Sequence, residues 1–180
     1  TPNTIHVVTS NGIYRSTDAG VTWAQVQTGN FKDMELRPGT PGTVYASTAT
    51  QVYRSTNSGA SYTSVYTVAG ANRLALAVTA ANNQYVYVLA GSAANSGFLS
   101  FHRSTNGGTS FTPTAVSSPS NILGWASAGN DVGGQSWYDL SLAASPTNAN
   151  ECVAGGVNIW RTTNGGTNWT VRSVPSTSYN

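Results

Sequence analysis

Six carboxylates supply all the acid chemistry open to this chain of 180 residues: Asp18, Asp33, Glu35, Asp131, Asp139 and Glu151. Cleaving a glycosidic bond takes two carboxyl groups held roughly 5–10 Å apart. Asp131 and Asp139 are one such candidate pair. They lie in Gly129-Asn130-Asp131-Val132-Gly133-Gly134 and Trp137-Tyr138-Asp139-Leu140, with Trp125 and Trp137 flanking the Gly-rich stretch. Indole and phenol rings stack well on sugars, so Trp125, Trp137 and Tyr138 are candidate ligand contacts. Asp33 and Glu35, in Lys32-Asp33-Met34-Glu35, are further candidate acids. The plainer reading makes Asp131 a turn residue capping its loop and Asp139 a strand residue facing a channel. On that reading Trp125 and Trp137 pack an insertion onto the fold. Other chemistries find little to work with. Cys152 stands alone, so no internal disulfide and no Cys-based zinc site is expected, and a buried, inert thiol is. His6 and His102 form no metal-ligand motif, and no cofactor is expected.

The composition narrows the class of protein that must position these residues. Charged residues make up 8%, against about 25% in an ordinary soluble domain. Ser, Thr, Asn and Gly fill close to half the chain, while five Trp and nine Tyr promise a substantial core. So little charge with so many aromatics argues against a disordered chain. A net charge of +2 gives no electrostatic footprint for nucleic acid. No apolar run reaches the roughly 18 residues of a membrane helix, so no membrane insertion is expected. Amphipathic helical stretches are missing, which leaves an all-β protein with many polar turns.

A repeat then organises the chain. Four segments align without gaps, each running from an apolar residue through Arg, Ser/Thr, Thr and Asp/Asn to Gly and a closing aromatic. They are Ile13 to Trp23, Val52 to Tyr62, Phe101 to Phe111, and Ile159 to Trp169. Their Asp/Asn positions are 18, 57, 106 and 164, giving spacings of 39, 49 and 58. The pattern reads as a hairpin turn between two strands. Asp18, Asn57, Asn106 and Asn164 can each accept hydrogen bonds from amides further along the turn. Gly20, Gly59, Gly108 and Gly166 supply positive φ. The hydroxyls of Ser16, Ser55, Ser104 and Thr162 can cap local amides. Trp23, Tyr62, Phe111 and Trp169 are large enough to fill the gap between adjacent sheets.

The stretch Ser16-Thr17-Asp18-Ala19-Gly20-Val21-Thr22-Trp23 resembles the Asp-box (BNR) repeat. That repeat marks sialidases, sortilin-type Vps10 domains and xyloglucanase-like glycoside hydrolases. The resemblance covers nearly the whole chain and implies that each box joins the two outer strands of a β-propeller blade. Three boxes carry Asn where the family prefers Asp, so the turn does not depend on a negative charge. Asp131-Val132-Gly133-Gly134 is similar to a catalytic-loop pattern of the xyloglucanase-like family. A sialidase would also need Arg residues clamping a carboxylate. Arg15, Arg54, Arg103 and Arg161 are one repeat position copied four times, so a structural role fits them better. Tyr14, Tyr53, His102 and Trp160 are repeat-locked in the same way. The sequon Asn168-Trp169-Thr170 lies inside a box and is incidental.

Upstream of each box a Pro/Asn/Gly turn precedes another strand: Ile5 to Val8, Thr43 to Ala46, Tyr85 to Val88, and Cys152 to Ala154. In the last three copies a further strand comes first: Met34 to Leu36, Leu74 to Val78, and Tyr138 to Ala143. Four antiparallel strands per 40–50 residues is propeller-blade arithmetic. The expected fold is all-β: a segment of about four four-stranded blades in an incomplete ring. Blade 1 (residues 1–29) is partial and lacks its innermost strand. Blades 2, 3 and 4 cover 30–69, 70–118 and 119–174, and 175–180 form a tail. Insertions are expected at Gly91 to Gly97 and at Pro113 to Ser136. Completion of the ring falls to further blades of the same chain or to a homo-oligomer. The resemblance implies a secreted or cell-surface protein in the style of the Bacteroidetes. It also implies a non-catalytic scaffold for a glycan or protein ligand, or else part of a glycoside hydrolase.

Overall fold

The computed structural model describes residues 3–114 and 121–173. Residues 175–180, expected as a tail, and part of the second insertion lie outside the described residues. Among the described residues, fifteen strands form four antiparallel sheets, and one short helix precedes the fourth. The first sheet holds β1 (Ile5–Val8), β2 (Gly12–Ser16) and β3 (Ala24–Thr28). The second holds β4 (Asp33–Leu36), β5 (Val44–Ser47), β6 (Gln51–Ser55) and β7 (Thr63–Thr67). The third holds β8 (Ala71–Val78), β9 (Val86–Ser92), β10 (Phe98–Ser104) and β11 (Thr112–Thr114). Helix α1 (Ser136–Asp139) leads into the fourth: β12 (Ser141–Ala144), β13 (Cys152–Gly155), β14 (Ile159–Thr162) and β15 (Thr170–Ser173). Each sheet is a blade of an open β-propeller segment, and the first has three strands where the others have four.

The repeated turn closes the same way in every blade. Its Ser or Thr hydroxyl donates to the Asp or Asn Oδ1 two residues on, at 2.8–3.0 Å. The same hydroxyl accepts the N–H of Gly20, Gly59, Gly108 or Gly166. In the first turn the Thr22 hydroxyl donates to Asp18 Oδ2 at 2.6 Å. In the second and third, Asn57 and Asn106 donate from Nδ2 to the hydroxyls of Ser61 and Ser110. The hydroxyl thus turns from donor to acceptor, and the amide replaces the carboxylate without loss of a bond.

Successive blades are locked together through this turn. A Cβ added to Gly108 would lie 2.5 Å from the Tyr45 ring, and one on Gly166 would lie 2.3 Å from the Phe101 ring. Both glycines also have positive φ. The Tyr45 hydroxyl donates to the Gly107 carbonyl at 2.9 Å. Phe101 meets Trp169 edge-on, with centroids 5.2 Å apart. Three buried clusters result, one per junction. Ile13, Phe31, Val44, Ala46 and Tyr62 fill the first. Val52, Leu74, Leu76, Val86 and Phe111 belong to the second, and Leu89, Leu123, Cys152, Trp160 and Trp169 to the third.

Four expectations need correction. Tyr138 and Asp139 are not in a strand: they end α1, and the inner strand of the last blade starts at Ser141. The register slips because Ser136 is pinned to the third blade, its N–H to the Ser96 carbonyl and its hydroxyl to Asn72. Trp23 is not buried like Tyr62, Phe111 and Trp169; it is 43% exposed. Pro113 and Thr114, assigned to the insertion, pair with β10 as part of edge strand β11, where a missing N–H is tolerated. Gly91 and Ser92 likewise extend β9 rather than forming a loop.

The glycine contacts predict an asymmetric mutational response. Gly166→Ala should cost about 3 kcal/mol in urea unfolding, combining overpacking against Phe101 with positive-φ strain. Gly20→Ala should cost only about 1 kcal/mol from strain alone, because its nearest neighbours lie at 3.7 Å. Equal losses at the two positions would contradict the interlock.

Candidate functional site

The loop that follows the third blade is a built structure. Asn121 is buried at its centre, accepting the N–H groups of Phe98 and Leu123 and donating to the carbonyls of Asp131 and Gly133. Asn158, at the β13–β14 turn, donates to the carbonyls of Gly124 and Trp125. Ile122 and Leu123 are buried in the core of the third junction. Asp131 accepts the N–H of Trp125 at 2.7 Å and of Ala126 at 3.1 Å through one oxygen. Its other oxygen is buried with no hydrogen-bond partner, beside Gly124. Asp131 thus ties its own loop segment to the amides of Trp125 and Ala126.

This scaffold presents aromatic side chains to solvent. Trp125, Trp137 and Tyr138 are 52%, 63% and 70% exposed. Trp125 lies over Gly133, where an added Cβ would come within 3.3 Å of its ring. The Trp137 and Tyr138 rings have centroids 5.5 Å apart, and Arg73 donates to both of their carbonyls. Sequence reasoning found the rings but missed the anchors Asn121, Asn158, Ser136 and Arg73. Asn158 left no signal, since the aligned positions hold a different residue in each blade: Gly12, Gln51 and Ser100.

A second polar site lies along the inner strands. Lys32, Asp33, Glu35, Arg73 and residues of β8 and β12 line a cleft of about 160 Å³. Asp33 accepts the N–H of Leu76 at 2.7 Å and of Met34 at 2.8 Å, bridging β4 to the next blade. Burial raises its carboxyl, opposed by those two donors and by Arg73. Glu35 is pushed up to about 7, first by burial and then by the Asp33 charge. Asp139, beside Gly156, is raised by burial and drawn back by its backbone amide and Arg73. Asp139 thus neighbours the cleft from α1 instead of projecting from a strand.

Most of the remaining candidates make contacts within or between blades. Arg15 donates to the Ser58 carbonyl of the next blade's turn at 2.8 Å. Arg103 reaches Asn150 and lies over the Tyr85 ring. Arg161 pairs with Glu151 of its own blade at 2.6 Å. His102 is buried between the Tyr66 and Ser100 hydroxyls, and burial lowers it to about 4. The Cys152 thiol is pushed up to about 12, mainly by burial. Among the described residues, no three His, Cys, Asp or Glu side chains gather as a metal site. No described helix is long and apolar enough to cross a membrane.

Comparison with solved structures places this arrangement among propellers. An ancestral GH74 enzyme superposes with a TM-score of 0.73 at 22% identity, over 97% of this chain and 23% of that one. The chain is an arc of a β-propeller. The GH74 enzyme of Niastella koreensis matches with a TM-score of 0.61 at 27% identity, over 98% of this chain and 23% of that one. An auxiliary nutrient binding protein from Bacteroides thetaiotaomicron matches at 0.57 and 14%, over 94% of this chain and 44% of that one. The arc thus spans under a quarter of either GH74 chain. No protein-family model and no curated protein matches the sequence.

Glu35 makes stability depend on pH. Its folded value of about 7 lies above the ordinary 4.5, so the folded state holds the proton more tightly. The stabilisation is full below 4.5 and is lost as pH rises towards about 7. Glu35→Gln should flatten that slope and gain on the order of 1 kcal/mol at pH 8, after allowance for solvent screening. Denaturant melts from pH 4 to 8 test this; an unchanged slope in the variant would assign it elsewhere.

Proposed function

We propose that this chain is a non-catalytic arc of a secreted or cell-surface propeller, acting as a scaffold that binds glycan through Trp125, Trp137 and Tyr138. One observation carries the reading: these three rings stand exposed on a loop and helix fixed by Asn121, Asn158 and Arg73. Exposed aromatics held together mark an interaction surface, and a rigid platform loses little entropy when a sugar stacks on it. The four repeated turns support assignment to the Asp-box (BNR) class, of which Vps10-like domains are one branch. Export agrees with the low charge and the Ser/Thr/Asn-rich surface.

A second reading, part of a glycoside hydrolase of the xyloglucanase-like or sialidase-like type, draws on the 27% identity to the Niastella koreensis enzyme. It would use Asp131 or Asp139. The scaffold reading fits Asp131 better, because two backbone amides already engage one of its oxygens.

The two readings separate on simple variants. Trp125→Ala and Trp137→Ala should each weaken binding to a soluble β-glucan about tenfold, or about 1.4 kcal/mol, in fluorescence titration. Unchanged affinity in both would end the scaffold reading as stated. Hydrolysis of a β-glucan panel by the wild type, abolished in the Asp131→Asn/Asp139→Asn double variant, would favour the enzyme.

A further inference from the structure

The cleft among β4, β8 and β12 holds charges of both signs in a space of about 160 Å³. It belongs to the three four-stranded blades, whose inner strands lie side by side. Its charged lining is Lys32 just before β4, Asp33 and Glu35 on β4, and Arg73 on β8, and Ser141 of β12 adds a hydroxyl. A cavity of about 150 Å³ admits one six-membered ring, so the cleft has room for one small molecule. The fold uses these groups unequally. Asp33 is committed through both oxygens to the amides of Met34 and Leu76. The Glu35 carboxyl takes no hydrogen bond among the described residues; burial and the Asp33 charge act on it and push it up to about 7. Arg73 gives Nη1 to the carbonyls of Trp137 and Tyr138, while its Nε and Nη2 have no partner among the described residues. Lys32 is exposed. One acid, one guanidinium edge and one ammonium are thus free to meet a ligand.

The balance of charge decides the class of ligand. With Glu35 ionised, the two acids and the two cations of the lining cancel. A bare cation is opposed by Lys32 and Arg73, and a bare anion by Asp33 and Glu35. A zwitterion answers both signs and leaves the balance unchanged. We propose that this cleft binds a free α-amino acid with a small polar side chain, its ammonium on Glu35 and its carboxylate on Arg73 and Lys32. Both contacts are charge-assisted hydrogen bonds, and the guanidinium fork matches a carboxylate. The lining is mostly polar, which sets the side chain small and hydrophilic. None of the three exposed rings lines the cleft, so the inference stands apart from the glycan reading.

Titration of the whole chain with glycine and L-serine, followed by amide NMR, tests this. The amides of Glu35, Ala75 and Ser141 should shift saturably. N-acetylglycine lacks the ammonium and glycinamide lacks the carboxylate, so each should bind about tenfold more weakly at pH 8. Glu35→Gln should weaken glycine by about the same factor. Lys32 is exposed, so Lys32→Gln leaves the fold intact; it should weaken glycine but not glycinamide. Glycine affinity of the wild type should also fall from pH 8 to pH 5, because the ammonium competes with the proton on Glu35. Asp33 and Asp139 are raised by burial as well and both feel Arg73, so any share of theirs would survive in Glu35→Gln. No saturable shift with either amino acid, or equal affinity for glycine and its two blocked forms, would overturn the proposal. Full glycine affinity in Glu35→Gln would do the same.

Discussion

Everything in this arc hangs on a glycine pressed against a ring of the preceding blade. Gly108 on Tyr45 and Gly166 on Phe101 leave no room for a Cβ, and Gly59 meets His6 in the same manner. The contact asks two things of one residue: positive φ to turn the chain, and no side chain to hold it off the neighbour. Because both demands fall on one position, the hairpin cannot form well without also presenting the surface that joins the blades. Local turn chemistry and long-range packing therefore favour the same structure, as a sequence specifying one fold requires. The buried clusters at the three junctions follow from that interlock.

Side-by-side packing brings the inner strands together, and this produces the polar cleft. Asp33 is drawn into bridging service by the Leu76 amide, and Glu35, two residues further on the same face, shares its desolvation. Arg73 works in two directions. Its charge opposes the raised carboxyls of Asp33 and Asp139, while its guanidinium grips the carbonyls of Trp137 and Tyr138. The cleft and the aromatic surface are thus mechanically continuous through one side chain. Loss of Arg73 would loosen the support beneath both rings of α1.

The fold was legible because its information is repeated. Four copies of one turn, each with alternating strands upstream, place most of the fifteen strands, and the register follows from the Arg position: His6, Tyr45, Tyr87 and Val153 each face the repeated Arg across the ladder. Legibility ends where repetition ends. Tyr138 and Asp139 alternate as a strand would, yet Ser136 is tied to Ser96 and Asn72 of the blade before, and a short helix results. Trp23 matches the other closing aromatics in sequence and differs only in what lies beside it. No local pattern can report that. The aromatic candidates were visible from their position outside the repeat, whereas Asn121 and Asn158 work through backbone carbonyls that any residue could offer.

The chemistry of Asp131 follows from the same division between repeated frame and inserted loop. A catalytic carboxyl must exchange a proton or attack carbon while keeping its supports in place. Asp131 has one oxygen engaged by the amides of Trp125 and Ala126 and the other buried next to Gly124. Withdrawing it would release the turn that carries Trp125. The acid and the exposed ring are thus parts of one device, in which the carboxylate fixes the backbone and the indole meets the solvent. A loop built in that way keeps the turn that carries Trp125 fixed above the blades.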